Sequence, residues 1–162
     1  MNALVDSSPL PSRHALRTLI EDLIGRDVQL KDADPIPARS SNLVAVYVTD
    51  KLTVSAVAVV DLEGAARIGG ALGMLPRGGV DDAIAERALS PLIRDNCYEV
   101  LNVLSAAFNT DGAPHVRLYQ LYGPNGTVPA DVASLSQVIG SRVDVELTVG
   151  GYGAARLSVI TR

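Results

Sequence analysis

The sequence predicts an α+β fold, an antiparallel-rich sheet of about five to six strands packed with long helices. Three observations predict it. Val-rich runs come in pairs joined by short turns, the pattern of β-hairpins. Stretches with apolar residues at helical spacing precede and separate those pairs. The chain has 162 residues, 48% of them apolar, with no Trp and one Phe. That is enough for one domain with a core of Val, Leu, Ile and Ala.

Residues 1–10 hold Ser7, Ser8 and Pro9 and show no period, so a flexible N-terminus is expected there, with a single domain over 11–162. "SRHALRTLIEDLIG" sets Leu16, Leu19, Ile20 and Leu23 at helical spacing, with Ser12 as cap and Gly25 as stop. "DVQLKD" reads as a short edge strand, and the Pro- and Ser-rich residues 31–41 as loop. "NLVAVYVTD" and "LTVSAVAVVDL" are apolar on both faces, which predicts a hairpin buried from both sides, with strands at 43–49 and 53–61. "LEGAARIGGALGML" is a helix pattern, expected to end at the glycines of "RGG", 77–79.

"DDAIAERAL" resumes helix. Ser90 and Pro91 then fit a cap and first helical position of a long helix running to about Phe108; a kink at Pro91 in one continuous helix is the alternative. Asn109, Asp111 and Gly112 close it. "HVRLYQLYG" is a strand at 115–122, "PNG" a turn and "DVASLSQVIG" a short helix. In "RVDVELTVG" Val143, Val145, Leu147 and Val149 face one way, and Asp144, Glu146 and Thr148 the other. "GGYG" turns the chain into a last strand at 154–161, the partner of 143–149.

Charge and cysteine usage narrow the function classes. The formal net charge is −4, with acids and bases mixed along the chain and no basic block. Nucleic-acid binding through phosphates is therefore not expected, while a protein partner stays open. Cys97 is the single cysteine, so no intrachain disulfide forms. Together with an N-terminus unlike a leader peptide, this predicts a cytoplasmic protein. No apolar run approaches membrane-spanning length, so no membrane insertion is expected.

The helix after Pro91 holds the candidate site. At about 100° per residue, with Asp95 at zero, Glu99 falls at about +40° and Asn102 at about −20°. Ile93, Cys97, Val100, Leu101, Leu104 and Phe108 cluster on the opposite side. The three polar residues thus form an outer ridge, with Tyr98 on one flank and Val103 on the other. A solvated helix face is polar as a rule, and Asp and Glu are ordinary there. Asn is not: it is a poor helix former at a mid-helix surface position.

Asp-x3-Glu-x2-Asn resembles the signature of the CheC/CheX/FliY family of chemotaxis phosphatases, in which a Pro follows downstream; Pro124 lies close to that place, just short of the usual spacing. "AARIGGALGML", a variable loop and then the motif helix is similar to the family's layout, and a single motif is CheX-like. The resemblance covers roughly residues 10–162 and implies a CheC-like fold. It implies a phosphatase that hydrolyses the aspartyl-phosphate of a CheY-like response regulator in chemotaxis or two-component signalling. Glu99 would pair with the regulator's lysine and Asn102 orient the attacking water, with Asp95 and Pro124 in support. The protein would need no cofactor of its own, since the receiver supplies magnesium. A non-catalytic CheX-like module that binds a receiver or self-associates is the alternative. Leu101 stands where the family often has a small residue, and Ala106 and Ala107 stand where a Gly is common.

Other candidates carry less. Gly69, Gly70 and Gly73 lack the context of a phosphate loop and read as close helix packing. His14 and His115 have no Cys or His at ligand spacing, so no metal site is expected. Cys97 points to the core side and reads as packing. The Val-rich sheet and the resemblance together predict a symmetric homodimer through a sheet edge, with the ridge facing solvent.

Overall fold

The computed structural model describes residues 8–162. Residues 1–7 of the expected flexible N-terminus lie outside the described residues; Ser8 is buried, its hydroxyl 2.6 Å from that of Ser55. Helix α1 (Arg13–Ile24) starts where Ser12 accepts the Ala15 N–H and stops at Gly25, φ 73°. It buries Leu16, Ile20 and Ile24. Strands β1 (Val28–Asp32), β2 (Leu43–Thr49) and β3 (Val54–Val60) follow. Helices α2 (Leu62–Leu72), α3 (Arg77–Glu86) and α4 (Pro91–Val103) come next. A 3-10 turn (Leu104–Ala107) leads toward β4 (Val116–Tyr122). Helix α5 (Ala130–Ser136) and the hairpin of β5 (Arg142–Val149) and β6 (Gly153–Thr161) complete the chain.

One six-stranded antiparallel sheet runs β1-β5-β6-β3-β2-β4. The two predicted hairpins are joined where β6 pairs with β3. The Val-rich strands β2 and β3 are therefore interior, and the edges are β1 and β4. Both faces of the centre are covered. Tyr47, Ala58 and Leu157 face a core shared with α1, α2 and α4. Val46, Val57 and Ile160 face a smaller cluster closed by Ile36 and by Val132 of α5. This two-sided burial is why β2 and β3 show no polar alternation.

Two boundaries differ from the sequence reading, at the end of α2 and at the end of α4, while Ser90 and Pro91 start a separate helix as read. "RGG" does not end α2; α2 ends at Leu72, and Arg77, Gly78 and Gly79 form the first turn of α3. Nothing lies within 4 Å of where a Cβ on Gly78 or Gly79 would stand, so no packing contact dictates glycine at either position. Helices α3 and α4 are separate: Arg87, at φ 56°, terminates α3, and the Ser90 hydroxyl caps α4 with Pro91 in its first turn. Pro91 starts a helix and kinks none. Helical geometry reaches Phe108 only by tightening, from α to 3-10 after Val103.

Helix α2 lies close along α4. A Cβ on Gly69 would collide with the Ile93 carbonyl oxygen, and the Asn96 amide donates to the Gly69 carbonyl at 3.0 Å. A glycine is what lets the two backbones approach. The contact holds α4 against the fold while its other side stays in solvent.

Candidate functional site

The burial of α4 follows its helical wheel. Ile93, Cys97, Val100 and Leu101 are buried, as are Leu104 and Phe108 beyond its end. Asp95, Glu99 and Asn102 are exposed, and Tyr98 beside them is 36% exposed. Glu99 and Asn102 are one turn apart, which sets their Cβ atoms about 5–6 Å from each other. Among the described residues, nothing hydrogen-bonds or pairs with the side chains of Asp95, Glu99 or Asn102. All three remain available to a partner.

The backbone beneath them is pinned. Tyr47 of β2, wholly buried, donates its phenol to the Leu101 carbonyl at 2.6 Å. Its ring lies 5.0 Å from that of Phe108. Burial pushes the Tyr47 phenol far above its ordinary range, so the group stays a donor. On the solvent side the Ser105 hydroxyl donates to the Asn102 carbonyl at 2.7 Å. The carbonyls on either side of the Asn102 Cα are thus both held by side chains where the helix tightens. Burial likewise drives the Cys97 thiol up to about 12, outweighing the nearby Arg94. A thiol that holds its proton this firmly is no nucleophile at neutral pH.

Pro124 follows β4 in a loop tied to α4. Arg94 donates through Nε to the Gly123 carbonyl at 2.9 Å and through Nη2 to the Leu121 carbonyl at 2.7 Å. The Gly123–Pro124 peptide is cis, and the Asn125 N–H reaches the Ser40 carbonyl at 2.6 Å. The loop meets α4 at Arg94, about one and a half turns before Glu99. The structure thus gathers Asp95, Glu99 and Asn102 on one face and attaches the Pro124 loop at the start of the same helix. Among the described residues no three His, Cys, Asp or Glu side chains gather to hold a metal.

Sequence reasoning missed three contributors. Tyr47 had a signal, because a phenol in a strand buried on both faces must find an acceptor. Leu92 had one too, since at about +60° it falls on the ridge. Arg94 had none, because its acceptors are carbonyls distant in sequence.

No family model matches the sequence, and no curated protein matches it. Solved structures do match in fold. A chain of the FliM–SpeE complex from H. pylori superposes with a TM-score of 0.61 at 10% identity, covering 91% of this chain and 80% of that one. A chain of the CheX–CheY–BeF3–Mg2+ complex from Borrelia burgdorferi gives 0.56 at 10% identity, covering 91% and 93%. The chemotaxis protein CheX from Vibrio vulnificus gives 0.54 at 13% identity, covering 92% of each chain. The chain has the CheX/FliM fold. The α+β sheet and its helices are therefore those the motif's resemblance implied, and the likeness to CheX and FliM is one of fold. No helix among the described residues is long and apolar enough to cross a membrane.

Proposed function

We propose that the protein hydrolyses the aspartyl-phosphate of a CheY-like response regulator in chemotaxis or another two-component pathway, working in the cytoplasm. The observation that carries the reading is the pair Glu99 and Asn102: exposed, without partners among the described residues, and one turn apart on a helix pinned from behind by Tyr47. A similar fold is found in a complex that contains CheX, CheY and BeF3, and this supports the choice of partner.

The chemistry asks little of such a protein. An acyl phosphate is already reactive, so the task is docking and placing water. Glu99 pairs with a lysine of the receiver and sets the register. The Asn102 amide holds the water, accepting through Oδ1 and donating through Nδ2, and brings no charge that would repel the phosphoryl group. The water oxygen bonds to phosphorus as the bond from phosphorus to the receiver's aspartyl oxygen breaks. Inorganic phosphate and a free carboxylate result, and the displaced proton passes to phosphate or solvent. The magnesium that neutralises phosphoryl charge belongs to the receiver, and no residue of this chain is assigned to it. Asp95 and the Pro124 loop support the ridge.

A non-catalytic module that binds a receiver or self-associates is the second reading, favoured by the similarity to a chain from a FliM complex. In either case we expect a homodimer through a sheet edge, β1 or β4, that leaves the ridge open. A monomer mass by light scattering contradicts the dimer. The test of function is phosphate loss from the host's phosphorylated receivers with and without the protein. Faster loss from one receiver supports hydrolysis, and binding without acceleration supports the second reading. Neither binding nor acceleration across the panel removes both.

A further inference from the structure

Between α3 and the start of α4 lies a groove of about 540 Å3. Leu75, Ala83, Leu89 and Leu92 give it an apolar lining, and Asp82 and Glu86 of α3 form an acidic rim. We infer that this groove is a second contact for the receiver, taking a surface segment that presents an apolar side chain flanked by Lys or Arg. The inference rests on the proposed function, because the same partner must cover the Glu99–Asn102 ridge.

Groove and ridge are one surface. Leu92 lines the groove, is 55% exposed, and stands at about +60° on the α4 wheel, next to Glu99 on the same side of the helix as Asp95 and Asn102. From Leu92 to Asn102 the helix rises only about 15 Å. A standard interface covers about 800 Å2 per partner, roughly 28 Å across, so one docked domain spans both.

The charge of the rim selects the occupant. Asp82 and Glu86 are exposed, and among the described residues neither forms an ion pair. They stand four residues apart on one helix, an arrangement in which like charges repel. The nearby Arg87 is engaged elsewhere, with Glu63 at 2.5 Å and Ser41 at 3.4 Å. A cationic segment relieves the repulsion between Asp82 and Glu86, and an apolar residue between its charges removes Leu92 from water. A receiver that offers a lysine to Glu99 already approaches this acidic face along the same helix. A second copy of this chain, at net charge −4, is a poorer complement.

The test measures binding of beryllofluoride-loaded receivers from the host panel, at low and high salt. The variants are Asp82→Lys with Glu86→Lys, Leu92→Ser, and Asp131→Lys on α5 as a control. All are exposed positions, so melting curves confirm that each variant is folded. The expected result is at least about tenfold weaker binding for the double charge reversal, with a flatter salt dependence, and a smaller loss for Leu92→Ser. Asp131→Lys should bind as wild type does. Wild-type affinity in both groove variants overturns the inference while leaving the proposed function standing. A loss of self-association with receiver affinity intact also overturns it, making the groove a contact between copies. A wild-type protein that binds no receiver removes the inference and the proposed function together.

Discussion

Two polar clusters sit on regular elements of this fold, and they are satisfied in opposite ways. On β5, Arg142 holds Asp144 with two hydrogen bonds, at 2.9 and 2.8 Å, and the Ser158 hydroxyl donates to the same carboxylate at 2.5 Å. Arg142 also donates to the Ser136 and Val138 carbonyls, which anchors the end of α5. Both side chains of the pair are about 10% exposed. On α4, by contrast, Asp95, Glu99 and Asn102 are exposed, and among the described residues their side chains have no hydrogen-bond or ion-pair partner. A cluster whose hydrogen bonds close among themselves stabilises the fold. A cluster left open on a pinned helix costs the fold little and is available to something else. The β5 cluster contains its own cation and hydroxyl donor, whereas the α4 ridge has two carboxylates and an amide and no cation, so only the first closes on itself.

That contrast is broken or sharpened by substitutions ranked by their effect on stability. Asp144→Ala should cost most, about 2–3 kcal/mol, because it leaves a nearly buried guanidinium without its carboxylate. Urea denaturation measures it, and a loss below about 0.5 kcal/mol would show that the β5 cluster is no more structural than the ridge.

Tyr47→Phe should cost about 1–2 kcal/mol by depriving the Leu101 carbonyl of a buried donor. It should also slow receiver dephosphorylation, since the backbone that carries Asn102 loosens. An unchanged melting curve would mean that the phenol holds nothing.

Acid should act through the closed cluster. Burial alone would raise the Asp144 pKa, but Arg142 and Ser158 together hold it below the usual carboxylate range. A lowered folded-state pKa gives stability that is full above the unfolded value, about 3.9, and is lost as pH falls through the folded value. Melting temperatures from about pH 6 to about pH 3 should therefore drop more steeply in wild type than in Asp144→Asn. Parallel curves would remove Asp144 from the acid response.

Much of this organisation is legible in the sequence, for local reasons. Ser12 with Gly25, and Ser90 with Pro91, mark helix ends by their own chemistry. The alternation of Val143, Val145, Leu147 and Val149 reports a one-sided strand, and the continuous apolar run of β2 and β3 a two-sided one. The wheel of α4 separates Cys97 and Leu101 from Glu99 and Asn102 without any tertiary information. What is not legible depends on distant partners. The pairing of β6 with β3, the placement of β4 beside β2, and the grip of Arg94 on the Pro124 loop have no local signature. The "RGG" boundary fails because glycine after an apolar run is the usual stop signal, and here Gly78 and Gly79 lie inside the next helix instead.

The smallest effect on stability should come from the ridge, and it accompanies the largest effect on function. Asn102→Ala removes an exposed amide that has no partner among the described residues and should change stability by less than about 0.5 kcal/mol. The decisive measurement is the dephosphorylation rate of the responsive receiver by wild type and by Asn102→Ala, with a melting curve for each. The rate expected for the variant is at least about 100-fold lower, with superimposable melting curves. Equal rates would contradict the role given to Asn102, because the water would then be positioned by some other group.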